Sequence, residues 1–240
     1  MSYVYQHQDF GLGNFINLTP AIMYLHQQHG ERIPVFFATD YVRQCFLEWE
    51  AIEILDRMPD TGQLFGSNLV NPNNDKPDYQ YVFERITGKP WQPAFHTYID
   101  RVPMTREEMA QFDAPYLLLI NGSGSDAPDY VAAKDPGEKV YRTALQDLRK
   151  MFAAKVYAVG SEADARRAPY LAELADGSFF GDIRQVLKLI GHHGCRGIIS
   201  NDCGLAHAAG AMNQPLFMLW KNTPRERCKN AGTNTTYWYL

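Results

Sequence analysis

Apolar residues along the chain fall into two rhythms, and each rhythm predicts an element. Residues 33–38 (IPVFFA), 116–120 (YLLLI) and 216–220 (LFMLW) are short, nearly unbroken apolar runs, the pattern of strands buried on both faces, and 155–159 (KVYAV) and 196–200 (RGIIS) also read as strands. Residues 3–6 add a short β-prone segment at the start, and 216–220 is expected to be the last strand. Between these runs the spacing turns helical. Val140, Ala144, Leu145, Leu148 and Phe152 recur at helical intervals over 138–152. Residues 162–175 read as a helix that Pro169 should bend or break. Asp182 is placed to cap a helix carrying Val186, Leu187 and Ile190, and residues 204–212 form a short helix of small side chains. In the first part of the chain, Thr19 and Pro20 are expected to be the N-cap and first residue of a helix that Gly30 stops. Asp40 is placed to cap the next helix, through Val42, Phe46 and Leu47. Thr105 to Glu108 is a capping-box match.

Residues 60–103 break this order. They are rich in Pro, Asn, Gly and aromatics, and hold at most one short helix, over 78–88. Such a stretch is either a surface that binds or covers something, or a packed irregular lobe. Strands alternating with helices elsewhere specify parallel sheets with right-handed crossovers. The expected architecture is α/β, with two Rossmann-like domains, 1–112 and 113–240, facing across a cleft at the carboxyl ends of their strands.

Composition narrows the class. Of 240 residues, 21% are charged and 45% hydrophobic, an ordinary globular balance. The formal net charge of −4 argues against general nucleic-acid binding. Cys45, Cys195, Cys203 and Cys228 form no CxxC pair, which suits a reduced, cytoplasmic protein better than a disulfide framework. No apolar run approaches the ~18 residues of a membrane-spanning helix, so no integral membrane contact is expected. No Asp, Glu and His cluster has metal-ligand spacing, and neither a metal nor another cofactor is expected. The pair His192-His193 ends a helix, where the dipole favours a cation.

The chemistry concentrates in residues 198–220. A strand runs into Asn201-Asp202-Cys203-Gly204, and a helix of small residues follows at once. The helix start presents free N–H groups and the positive end of a dipole, a ready site for phosphate. His207 lies beside it. The same spacing also suits a tight turn in which Asp202 merely caps the helix and His207 is an ordinary surface group. After strand 116–120, the loop Asn121-Gly122-Ser123-Gly124-Ser125 offers backbone and hydroxyl groups to a phosphate, or is a plain turn.

The segment Asp202-Cys203-Gly204-Leu205-Ala206-His207-Ala208-Ala209-Gly210-Ala211-Met212-Asn213-Gln214-Pro215 resembles the signature of glycosyltransferase family 9, the heptosyltransferase-like family. That signature is Asp-(Thr/Ser)-Gly-x-x-His-x-Ala-Ala-Ala-x-x-x-Pro between two strands. Near the N-terminus, Gly11-Leu12-Gly13-Asn14 followed by Thr19-Pro20-Ala21-Ile22 resembles the family's Gly-x-Gly-Asp turn and Thr-Pro-Ala helix start. The resemblance implies a GT-B architecture, with an acceptor-side N-terminal domain and a C-terminal domain that binds a nucleoside-diphosphate sugar. It implies inverting transfer to a carbohydrate or other hydroxyl acceptor, without a catalytic metal. Donor and phosphate contacts then fall on Gly13, Gly122, Ser123, Lys139, Asp202, Gly204, Leu205 and His207, with Lys134 the alternative to Lys139.

The chain departs from the pattern in three ways. It is shorter than is usual in the family. Cys203 replaces the usual Thr or Ser. Asn14 stands where the family carries its catalytic aspartate, and an amide cannot act as a base. Asp9, in the same loop, and Asp40, after strand 33–38, are the substitutes, with His7 third. Two other functions fit the sequence: a nucleotide-sugar-binding protein without turnover, and a phage-type transferase whose acceptor is a DNA base.

Overall fold

The structure, a computed structural model, describes residues 2–6, 11–59, 63–66, 69–123 and 128–240. The chain divides into two compact units, Met1–Asp100 with Pro224–Ala231, and Arg101–Thr223 with Gly232–Leu240. The division falls twelve residues before the expected 112/113 boundary, and a late segment returns to the first unit.

The first unit contains β1 (Ser2–Gln6), α1 (Leu12–His29), β2 (Ile33–Phe37), α2 (Asp40–Arg43), β3 (Ile52–Leu55), β4 (Gln63–Gly66) and α3 (Asp78–Thr87). Its sheet has the order β3-β2-β1-β4, and each pairing is parallel. The helix expected to start at Thr19 starts at Leu12, with Gly11 as N-cap, and Pro20 lies inside it. Proline has no N–H to give Ile16, four residues back. The Thr19 hydroxyl supplies the missing proton, donating to the Ile16 carbonyl at 2.7 Å, and itself accepts from the Tyr98 N–H at 2.7 Å. Thr19 is therefore a mid-helix patch rather than a cap. Asp40 is likewise not a cap: Thr39 holds that position, and α2 ends at Arg43, before Phe46 and Leu47. The aromatics of the irregular stretch pack inward. Tyr24, Phe83, Trp91 and Phe95 meet edge-to-face or stacked at 5.3–5.7 Å between centroids, and Phe83 and Phe95 bury against Ala21.

The second unit runs α4 (Arg106–Gln111), β5 (Tyr116–Ile120), α5 (Pro128–Lys134), α6 (Glu138–Met151), β6 (Lys155–Gly160), α7 (Glu162–Arg167), α8 (Tyr170–Leu174), β7 (Gly177–Phe180), α9 (Ile183–Gly191), β8 (Cys195–Asn201), α10 (Gly204–Ala211), β9 (Leu216–Trp220) and β10 (Thr235–Tyr239). The strand order is β10-β9-β8-β5-β6-β7, again parallel throughout. β9 is thus not the last strand. β10 (TTYWY) pairs beside it, and its half-buried, hydroxyl-rich sequence lacks the unbroken apolar run of a central strand. β5 is buried at every position, as its sequence requires for a strand covered on both faces. Leu117, Leu119, Tyr141, Leu145, Leu148, Val156, Leu171 and Ile199 form the core on one side.

Local signals set several boundaries. Thr105 and Glu108 make both hydrogen bonds of a capping box, and Ser161 with Asp164 makes a second. Pro169 divides the expected 162–175 helix into α7 and α8. At the end of α9 the dipole argument fails for His192. The ring is buried, stacks on Tyr116 and accepts from the Gly194 N–H at 3.2 Å. Burial, then the neighbouring His193, lowers its pKa.

Candidate functional site

In the second sheet the strand order reverses between β5 and β8, and such a switch point opens a crevice at the carboxyl ends of the strands. Two connections meet there. Asn121, Gly122 and Ser123 follow β5, and Asp202 and Cys203 join β8 to α10.

The crevice is closed by an amide. Asn201 is buried, and its Oδ1 accepts from the Gly122 N–H at 3.1 Å while its Nδ2 donates to the Gly122 carbonyl at 2.8 Å. Nδ2 also reaches the Lys134 carbonyl at 3.4 Å. The Tyr141 hydroxyl donates to the Ile120 carbonyl at 2.5 Å and accepts from the Asn201 N–H at 3.1 Å. A neighbouring network fixes the far end of the loop: Asp135 Oδ1 accepts from Asn121 Nδ2, Tyr170 Oη and the Gly137 N–H, each at 2.8 Å. Gly122 is also a spatial requirement, since a Cβ there would stand 3.1 Å from Cys203 Sγ and Cβ.

Above this floor lies a charge cluster. Asp202 is 4% exposed. Lys134 Nζ donates to its Oδ2 at 3.0 Å and to its carbonyl at 3.2 Å, and His207 Nε2 stands 3.4 Å from Oδ1. Burial alone would raise the Asp202 pKa, but the His207 hydrogen bond and the Lys134 charge outweigh it and hold the carboxyl well below the usual range. The N-cap residue Cys203 makes no side-chain hydrogen bond to α10, and no acidic residue lies in the helix's first turn. Burial raises the Cys203 thiol's pKa, so it stays protonated. The start of α10 and the Lys134 ammonium present positive charge and N–H donors at the switch point, with the His207 ring beside them, an arrangement suited to a diphosphate.

Of the residues singled out in the sequence, Gly122, Asp202, Gly204, Leu205 and His207 come together here with Lys134. Ser123 continues the same loop. Lys139 is exposed, one residue into α6 from its start. Gly13 and Asn14 lie in the first turn of α1 in the other unit, half-buried. A Cβ on Gly11 would stand 3.0 Å from the Tyr41 hydroxyl, so the starts of α1 and α2 converge at the carboxyl edge of β1 and β2. There Gln6, at the end of β1, accepts from the Thr39 N–H and hydroxyl at 2.9 Å each. The Asp40 side chain is 71% exposed and faces Arg43 at 3.4 Å. Asp9, His7, Gly124 and Ser125 lie outside the described residues. Asn201, Asp135 and Tyr170 were not singled out; a buried amide directly before Asp202 was the available signal for the first, and the other two have none nearby in sequence.

The model of Glycosyltransferase family 9 (heptosyltransferase) matches residues 78–239, about two thirds of the chain. No curated protein matches it in sequence. Among solved structures, ADP-heptose LPS heptosyltransferase II of E. coli aligns with a TM-score of 0.72 at 12% identity, covering 99% of this chain and 89% of that one. A family 9 glycosyltransferase from Veillonella parvula gives 0.70 at 11% identity, over 99% and 86%. E. coli heptosyltransferase WaaC with ADP gives 0.67 at 12% identity, over 100% and 93%. At these identities the structural likeness speaks for the fold, and the family model speaks for descent. The chain belongs to glycosyltransferase family 9, the heptosyltransferase family.

Proposed function

We propose that this glycosyltransferase moves a sugar from a nucleoside diphosphate to an acceptor hydroxyl, with inversion and without a catalytic metal. The observation that carries the reading is the cluster of Lys134, Asp202 and His207 at the start of α10. In the transfer, the acceptor oxygen forms a bond to the anomeric carbon as the bond from that carbon to the phosphate oxygen breaks. The acceptor's proton passes to a base, and the diphosphate leaves with added negative charge. Lys134, His207 and the free N–H groups of Gly204 and Leu205 are placed to stabilise that charge. Asp202 holds both side chains in place. For the base, Asp9 ranks ahead of Asp40, because Asn14 can orient a hydroxyl but cannot take its proton.

WaaC was solved with ADP, so ADP is the first donor fragment to test here, alongside UDP, GDP, CMP and dTDP and their sugars. A ligand at 100 times its Kd adds about 2.7 kcal/mol of stability, which a thermal-shift screen reads directly. The absence of a shift with every nucleotide and nucleotide sugar would overturn the reading.

A further inference from the structure

Lys221 directly follows β9 and lies outside the cluster described above. It is half-buried, and among the described residues it makes no ion pair. Its ammonium donates instead to two backbone carbonyls near the end of α5, Ala132 at 3.2 Å and Asp135 at 2.8 Å. The sequence explains why donors are needed there. The residue four places after Ala132 is Pro136, which has no N–H, so the chain cannot complete the hydrogen bond to the Ala132 carbonyl. A cation is also favoured at a helix C-terminus. The two carbonyls bracket Lys134, whose own carbonyl is reached by Asn201. The backbone that carries Lys134 is thus held from outside by side chains at the ends of β8 and β9.

We propose that Lys221 is a positioning residue: by capping the end of α5 it fixes where the Lys134 ammonium stands over Asp202, and so sets the affinity of the site for a diphosphate. The inference rests on the donor reading above. It requires Lys221 to act through Lys134 rather than by touching the ligand.

A double-mutant cycle separates these roles. ADP and inorganic pyrophosphate are titrated calorimetrically into the wild type, Lys221→Met, Lys134→Gln and the double variant, with thermal melting to confirm that each is folded at the titration temperature. Lys221→Met is expected to weaken both probes about three- to tenfold, the range of one or two lost hydrogen bonds. In the Lys134→Gln background the same change is expected to add nothing. Lys221→Arg, which keeps charge and reach, is expected to restore most of the affinity. Penalties that multiply in the double variant, or wild-type affinity in Lys221→Met, would overturn the inference while leaving the donor site standing. A wild type that binds neither probe, nor any nucleotide of the wider panel, removes the donor reading and this inference with it.

Discussion

The Asn201 carboxamide meets both polar backbone groups of Gly122, accepting its N–H at 3.1 Å and donating to its carbonyl at 2.8 Å. The side chain thereby acts as one residue of an extra strand, bridging β5 and β8 at the point where their chains diverge. Asn201→Ala would leave both Gly122 groups buried without partners. The expected cost is about 2–4 kcal/mol, read from urea unfolding. A loss below about 0.5 kcal/mol would show that water or a shifted loop replaces the amide.

His207 should matter for binding more than for folding. His207→Ala removes a donor to a charged ligand, worth roughly 1.5–3 kcal/mol, or about 10- to 150-fold in nucleoside-diphosphate affinity. Calorimetry checks this. Unchanged affinity would move the diphosphate away from α10.

The Lys134–Asp202 pair predicts a pH signature. A depressed carboxyl pKa contributes stability that is present above the ordinary carboxylate pKa and lost as pH falls through the folded value. Lys134→Met strands a buried charge and should cost about 3 kcal/mol at pH 7. As pH falls below about 4 the gap between wild type and variant should narrow, because Asp202 in the variant protonates first. Denaturant titrations at pH 7 and pH 3 measure this. A gap of constant size would place its origin in packing.

Turnover should persist in excess EDTA, since the leaving diphosphate has the Lys134 ammonium, the His207 ring and a helix start to meet it. Strict dependence on added Mg²⁺ or Mn²⁺ would require a metal in the transfer step.

The base is tested by pairing two variants. Asp9→Asn should lower kcat by about 10²–10⁴ and leave donor Kd unchanged. Asp40→Asn changes an exposed side chain whose ion pair with Arg43 is worth little, so stability should move by less than about 0.5 kcal/mol. A collapse of kcat in Asp40→Asn alone would shift the role to the end of β2.

The sequence announces its buried strands and capped helices plainly. β5 needs an unbroken apolar run because helices cover both faces, and the two capping boxes are local chemistry. Elements whose logic is not local escape it. Thr19-Pro20 carries the signature of a helix start but lies mid-helix, because one hydroxyl replaces the donor that proline lacks. β10 has no apolar run because it sits at the sheet's edge. In the site, Asp202, Gly204 and His207 share one turn and are legible together. The contact between Lys134 and Asp202 spans 68 residues and has no local mark, whereas Lys139, five places later, faces solvent.

The return of Pro224–Ala231 to the first unit makes that unit discontinuous in sequence. Within it, the Asp78 N–H donates to the Arg227 carbonyl at 2.9 Å, the Asp78 carboxylate faces Arg227 Nε at 3.5 Å, and Cys228 is buried. A gene fragment ending after residue 100 would therefore encode a unit missing one of its own walls, with Asp78 deprived of its counter-charge. Either half can be prepared alone only as a circularly permuted or linker-bridged polypeptide. A single protease nick at Asp100/Arg101 should leave the two pieces migrating together under native conditions.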